Sequence, residues 1–277
     1  MQKWVKALKT FGNLSTVSKI DESFSLSKTM ECGQCFHFTK LNNNEYLVYG
    51  LNDICWVKQI DDFLYIKCND IGYWTRYFSL DMDYKEIINY LYDFANLNND
   101  EYMKKCIEFG KGIRILRQPL FEIGVSYIIS QRNNIPRIQN TVFNISNKLS
   151  SNKLDIGGNP FYMFPSLSDF VGKDLTSFNL GYRDKYIIDF VNKFETLQKS
   201  ITHNYEQDVN LLMEINGIGI KVANCICLFG LEEYDAFPID VWMQKILDEE
   251  YKNKKINIPD KYAGILQQFM FYTRRTM

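Results

Sequence analysis

The sequence predicts an α+β fold, with an N-terminal antiparallel β-sheet subdomain followed by a mostly α-helical region. Three observations predict it. Apolar and polar residues alternate along short, aromatic-rich stretches before residue 98. Asn-Asn-Asn and Asp-Asp turn signals separate those stretches. From about residue 100 onward the apolar period changes to that of a helix.

The elements follow in order. Glu45–Tyr49, Ile54–Val57 and Phe63–Ile66 read as strands of one antiparallel sheet, and Tyr84–Phe94 reads as a helix because Ile87, Ile88, Leu91 and Phe94 share a face. Residues 1–98 are therefore taken as a sheet subdomain with a helix, and 99–277 as the helical region. In the second part Ile135, Ile138, Val142, Ile145 and Leu149, spaced 3, 4, 3 and 4 apart, give the clearest amphipathic helix. Further helices are expected over Leu120–Ser130, Arg183–Phe194, Asp208–Ile215, Ile220–Gly230, Asp240–Glu250 and Lys261–Arg274. Residues 152–165, with Gly157-Gly158-Asn159-Pro160, read as a connecting loop.

Composition narrows the class. At 277 residues and 46% apolar, the chain can bury a sizeable core. No uncharged apolar run of about 18 residues exists to span a bilayer, and Met1 to Thr10 carries three lysines without the apolar stretch of a signal peptide. A cytosolic chain without membrane partners is expected. Its seven cysteines, an odd number, then suit reduced thiols rather than a disulfide framework. Cys32 and Cys35 form a lone C-x-x-C, and with His37 and His203 as the only histidines a zinc site is disfavoured, so no metal ligands are assigned.

A net charge of −1 disfavours a nucleic-acid partner when taken as a sum. The distribution differs: from Lys104 to Arg137 seven basic residues stand against two acidic ones, a segment suited either to an anion or to a solvated helix face.

The chemistry concentrates between residues 208 and 240. Leu211 to Leu228 runs as apolar helix, Gly217-Ile218-Gly219 turn, apolar helix, a helix–hairpin–helix over about 208–230. Two glycines allow a sharp turn and close approach to a phosphate, and the free amides opening the second helix attract an anion without any basic side chain. Lys221 lies in the first turn of that helix, where the macrodipole disfavours a cation and so favours the neutral amine that nucleophilic attack requires. A lysine that merely binds phosphate is the alternative. Nineteen residues on, the loop 236–240 ends in Pro238-Ile239-Asp240, where Asp240 is either an ordinary helix N-cap or a carboxylate placed to stabilise positive charge.

Hairpin, lysine and Pro-x-Asp together resemble the helix-hairpin-helix DNA glycosylases, and Lys221 points to the bifunctional members. The chain is most similar to the 8-oxoguanine DNA glycosylase/AP lyase family. Glu31-Cys32-Gly33-Gln34-Cys35-Phe36-His37-Phe38 resembles its S-G-Q-x-F-R-W motif, Asn133-Asn134-Ile135-Pro136-Arg137-Ile138 its N-N-N-I-x-R-I, and Phe164-Pro165-Ser166 its F-P-[ST]. Leu180-Gly181-Tyr182-Arg183-Asp184-Lys185-Tyr186 resembles its L-G-Y-R-x-x-Y, and Ala263 to Phe271 its A-G-x-x-Q-x-x-x-F. The resemblance implies excision of 8-oxoguanine from duplex DNA by base flipping, with Lys221 as nucleophile, Asp240 as its carboxylate partner, a Schiff base and β-elimination. It further implies that the Gly33 carbonyl accepts the N7 hydrogen peculiar to the lesion, that Gln267 reads the Watson–Crick edge, and that Phe271 and Cys225 sandwich the base. Asn133 would fill the vacated stack, Tyr182 would wedge beside the orphaned cytosine, Arg137 would bond it, and Gly217 and Gly219 would meet phosphate.

The implied cofactor requirement is none, beyond a structural cation held by hairpin carbonyls. A monomer is the default, in a bacterial, nucleoid-associated setting. The chain departs from the family pattern at Arg132, where an Asn opens the N-N-N run, at Trp242, where a His follows Asp-Val, and at His37 and Phe38. Arg132, as a DNA contact, offers no acceptor to an opposite base. Two other readings remain: a non-catalytic DNA clamp, and a glycosylase for another damaged base.

Overall fold

In a computed structural model the described residues are 15–19, 24–156, 158–252 and 255–277. The lysine-bearing start, Met1 to Thr10, and Gly157 of the expected loop lie outside them.

Five strands form an antiparallel sheet in the order β1-β5-β4-β3-β2: β1 Ser15–Lys19, β2 Phe38–Asn42, β3 Glu45–Tyr49, β4 Ile54–Ile60 and β5 Phe63–Lys67. The turn signals act as read, with Asn44 and Asp61 at positive φ (55° and 47°) between consecutive strands. Strand β3, between β4 and β2, is buried on both faces. Tyr46 and Val48 face a core shared with Leu26, Met30, Trp74 and Phe78, while Leu47 and Tyr49 face Ile156, Phe161 and Met163.

That second face corrects the sequence reading. Residues 152–165 are not a plain loop: Lys153–Ile156 and Asn159–Tyr162 pair as an antiparallel hairpin, with Ile156 opposite Asn159. Leu154, Ile156 and Phe161 cover the sheet, so this segment packs as a hairpin rather than running as a linker.

The larger core is helical. Helix Tyr84–Leu97 contributes Tyr84, Ile87, Ile88, Leu91 and Ala95 to it, beside Glu101–Gly110. Helix Leu120–Ser130 is buried along nearly its whole length, whereas Ile135–Leu149 buries only the face carrying Ile138, Val142 and Ile145. Arg183–Ser200, Tyr205–Met213, Ile220–Gly230, Val241–Glu249 and Ala263–Thr276 complete it. Asn204 caps Tyr205–Met213 by accepting from the Gln207 amide, which starts that helix three residues earlier than expected. Asp240 is the cap of its helix, not the first helical residue. No helix among the described residues is long and apolar enough to cross a membrane.

Candidate active site

A cleft of about 1190 Å³ opens between the turn before β2, the loop after Ser130, the hairpin and the final helix. Ten of the twelve residues singled out in the sequence line it: Lys221, Asp240, Gly33, Gln267, Phe271, Cys225, Arg132, Asn133, Gly217 and Gly219. Arg137 and Tyr182 lie outside it, on exposed surface.

The two hairpin glycines do different work. Gly217 has φ +84°, and a Cβ there would stand 2.2 Å from the Tyr186 ring, so neither backbone nor packing admits a side chain. Gly219 is extended (φ −93°, ψ 176°), caps Ile220–Gly230 without a side-chain bond, and has open space where its Cβ would be. Its lack of a side chain leaves the opening amides of that helix bare toward the cleft.

Lys221 is placed by this helix start. Its Nζ stands 5.3 Å from the centre of the Tyr127 ring, and it lies within hydrogen-bonding reach of the Cys225 thiol one turn on. Burial raises the Cys225 thiol above its ordinary range, Lys221 opposes that shift and Asp240 reinforces it, so both residues act at one spot. Asp240 spends Oδ1 on the Trp242 and Met243 amides, 2.9 Å each, which fixes the carboxylate and surrounds it with partial positive charge. Asn224, unassigned in the sequence, ties the two together: it donates to the Ile220 carbonyl (2.8 Å) and accepts from the Phe237 amide (3.0 Å) and Tyr205 hydroxyl (2.7 Å).

The opposite wall is the turn at Gly33. With φ +95° and Arg275 Nη1 2.7 Å from the position of a Cβ, this turn requires glycine. Gln34 anchors it: Nε2 donates to the Thr29 and Arg114 carbonyls (3.0 and 2.7 Å), and Oε1 accepts from the Leu116 amide at 2.8 Å. Gln118 donates to the Gln34 carbonyl (3.0 Å) and Gln268 to that of Cys32 (3.2 Å). The neighbouring Gln267 is buried, yet its amide bonds to no described residue and lines the cleft, so its donors and acceptor are free for a ligand edge. Phe271, one turn along, stands 3.5 Å from the Gly33 Cβ position.

At the rim, Arg132 adopts φ +48°, a left-handed conformation that asparagine enters more readily than arginine. Asn133 folds back on its loop, donating to the Ile129 carbonyl (3.2 Å) and accepting from the Asn134 amide (3.1 Å). The Arg137 guanidinium has no partner among the described residues. Arg183, part of the motif but given no role from it, donates to the carbonyls of Gln131 and Leu180 and lies 4.7 Å from the Tyr182 ring centre, so it fixes exposed Tyr182 beside Arg132.

The basic run from Lys104 to Arg137 is not one anion-facing surface. Lys104 pairs with Glu101, Lys111 with Glu108, and Arg117 with Asp81 and Glu232. Arg132 and Arg137 remain at the cleft end. Cys32 and Cys35 point into different cores, which separates the C-x-x-C thiols, and burial pushes them up to about 11 and about 12. Fully buried His37 stacks on Tyr49 (4.4 Å) and lies 3.7 Å from Glu122. Burial lowers His37 to about 3 and raises Glu122 to about 8, so at neutral pH the pair is uncharged.

Residues 16–123 match the family described as 8-oxoguanine DNA glycosylase, N-terminal domain. The chain is 30% identical over 213 residues to the N-glycosylase/DNA lyase of Saccharomyces cerevisiae, covering 69% of this chain and 55% of that protein. It spans between 48% and 66% of the length of three curated relatives that it matches. Two solved structures superpose over nearly the whole chain. MBOgg1 in complex with a low-affinity DNA ligand has a TM-score of 0.83 at 31% identity, covering 94% of this chain and 95% of that one. The 8-oxoguanine glycosylase/lyase of Clostridium acetobutylicum, with double-stranded DNA containing cytosine opposite 8-oxoG, has 0.81 at 30%, covering 96% and 98%.

Proposed function

We propose a reaction for this cleft from one premise: the chain belongs to the 8-oxoguanine DNA glycosylase family. The proposed activity is excision of 8-oxoguanine from duplex DNA followed by cleavage at the abasic site. The observation that carries it is the meeting, in one cleft, of Lys221 and capped Asp240 with the Gly33 turn and the unpartnered Gln267.

In this reading the hairpin amides hold a phosphate and the lesion leaves the stack, at a cost of a few kcal/mol that is smaller for a damaged base. The Gly33 carbonyl accepts from N7–H, Gln267 bonds the Watson–Crick edge, and Phe271 and Cys225 cover the two base faces. Asn133 fills the gap and Tyr182 and Arg137 engage the opposite strand. The neutral Lys221 amine attacks C1′, the C1′–N9 bond breaks with its electrons leaving on the base, and Asp240 stabilises the positive sugar in between. Loss of the sugar-ring oxygen from C1′ gives the Schiff base. Removal of a C2′ proton then expels the 3′ phosphate, and hydrolysis returns the lysine.

The course uses no redox cofactor. At the hairpin, the Glu214 carbonyl already accepts from Lys193 (3.1 Å) and that of Gly217 from Gln131 (2.8 Å). A structural cation at the hairpin would be held by backbone carbonyls, each of which has a second lone pair to offer, and no step runs through one. Partner, state and setting are proposed as duplex DNA bearing the lesion, a monomer, and a bacterial cytoplasm.

The test is nicking and borohydride trapping on duplexes with 8-oxoguanine opposite each of the four bases, for the parent and Lys221→Gln. Cleavage and a trapped adduct in the parent, both lost in the variant, support the reading. A parent that binds the duplex without cutting or trapping overturns it in favour of a DNA clamp or another lesion.

A further inference from the structure

Besides Gln268, the final helix lines the cleft from three successive turns with Gln267, Phe271 and Arg275. The first two have roles in the reading above; the third does not. The Arg275 guanidinium lies 5.3 Å from the centre of the Phe271 ring, and its Nη2 donates to the Glu31 carbonyl at 2.6 Å. Glu31 does not neutralise it, because that carboxylate is engaged by Lys40 and the Tyr46 hydroxyl. Nη1 is buried and has no hydrogen-bond partner, and it faces Gly33, 2.7 Å from where a Cβ would stand.

A buried guanidinium nitrogen without an acceptor is costly, and arginine carries only donors. One arm of the fork is held by the protein and the other is presented, at fixed orientation, beside the backbone that contacts the base edge. Gly33 supplies an acceptor there, so a donor next to it matches a ligand edge that carries both an N–H and a carbonyl oxygen. In 8-oxoguanine N7–H is flanked by O8 and O6.

We propose that Arg275 is a specificity-determining residue whose Nη1 donates to a carbonyl oxygen, O8 or O6, beside N7 of the flipped base. This rests on the 8-oxoguanine reading of the same site. Gly33 and Arg275 then form a two-point reader of complementary polarity. Guanine, with an acceptor at N7 and a C–H at C8, meets the Gly33 carbonyl lone pairs and offers no O8.

The experiment compares parent, Arg275→Ala and Arg275→Lys on three duplexes: one with 8-oxoguanine opposite cytosine, one with a tetrahydrofuran abasic analogue that keeps the phosphates and lacks the base, and one with a natural abasic site for the lyase step. The expected result for Arg275→Ala is a fall of about 10-fold to 100-fold in single-turnover excision of 8-oxoguanine, with unchanged affinity for the tetrahydrofuran duplex and unchanged lyase rate. Arg275→Lys, which keeps the charge but loses the fork, falls between parent and alanine variant. Equal losses on the base-containing and base-free duplexes would make Arg275 a phosphate contact and overturn the proposal, as would unchanged excision.

Binding of 8-oxoguanine and 8-oxoadenine duplexes in a Lys221→Gln background locates the bond. A loss shared by both lesions places it on O8, and one confined to 8-oxoguanine places it on O6. A parent that does not excise 8-oxoguanine refutes the underlying function instead, so the two failures are distinct.

Discussion

The two walls of the cleft are built by opposite means. On the hairpin side, Lys221, Asn224 and Asp240 lie within twenty residues, and the bonds that fix them are short-range: Asn224 to Phe237 spans 13 residues and Asp240 to its caps 2 and 3. On the Gly33 side, apart from the Gln34 bond to Thr29, the fixing bonds are long-range. Gln34 reaches Leu116 across 82 residues, Gln268 reaches Cys32 across 236, and Arg275 reaches Glu31 across 244. The proposed chemistry is thus carried by a local supersecondary unit, while the proposed recognition depends on the whole fold having closed. Damage to the first wall should cost rate, and damage to the second should cost stability and base selection together.

The largest effect tests whether the hairpin wall is separable from stability. Asp240→Asn keeps an acceptor for the Trp242 and Met243 amides, so thermal unfolding should move by less than about 1 kcal/mol. Excision should nevertheless fall by about 10²–10³-fold with the carboxylate charge gone. A matching loss of stability would show that the charge also holds the loop. On the other wall, Gln34→Leu strips the Leu116 amide and the Thr29 and Arg114 carbonyls of buried partners. Urea unfolding should report a loss of roughly 2–4 kcal/mol, with weaker binding of the 8-oxoguanine duplex. An unaltered midpoint would mean that backbone packing alone sets the Gly33 turn.

Behind that turn, His37 and Glu122 give stability a defined pH profile. An unfolded carboxyl releases its proton near 4.5 while folded Glu122 keeps it to about 8, so stability falls as pH rises through that window. An unfolded imidazole takes up a proton near 6.5 while folded His37 refuses it down to about 3, so stability also falls as pH drops through that range. The two windows overlap between pH 4.5 and 6.5, where the opposing slopes cancel, and the stability contributed by this pair is greatest there. Glu122→Gln should flatten the alkaline limb, whose slope has a ceiling of about 1.4 kcal/mol per pH unit for one proton, and leave the acid limb in place. Melting temperatures from pH 4 to 9 decide it; an unchanged alkaline limb assigns the dependence elsewhere. Smallest of all, Arg132→Asn should stabilise by about 1 kcal/mol, because asparagine tolerates the left-handed backbone there. A loss of stability would show the Arg132 side chain to be holding the rim.

Legibility in the sequence follows the same division. The hairpin, Lys221 and Asp240 were readable because glycines, a helix start and a cap are local signals. Gly33, Gln267 and Phe271 entered through motif resemblance, and the cleft does collect them. Gln34 stands inside a quoted motif without a role from it, while Gln118, Gln268 and Arg275 carry no such signal, since their partners are mostly backbone carbonyls far along the chain and no periodicity marks them. Arg183 lay inside a quoted motif, but its clamp on the Gln131 carbonyl is invisible without the fold. The basic run, open in the sequence between an anion surface and a solvated face, is decided by the fold, where ion pairs absorb Lys104, Lys111 and Arg117. The hairpin at Lys153–Tyr162 carries a local signal, Gly157-Gly158 between short apolar alternations, that a connecting loop shares.

The reach from Cys32 to Gln268 also sets an order of assembly. As the chain emerges during synthesis, the hairpin and its lysine form from neighbouring residues, but the Gly33 turn must wait for the final fourteen-residue helix. A chain still on the ribosome therefore holds the proposed nucleophile, Lys221, before it holds the proposed base pocket. The recognition wall closes only when helix Ala263–Thr276 has emerged, later than the wall that carries the proposed chemistry.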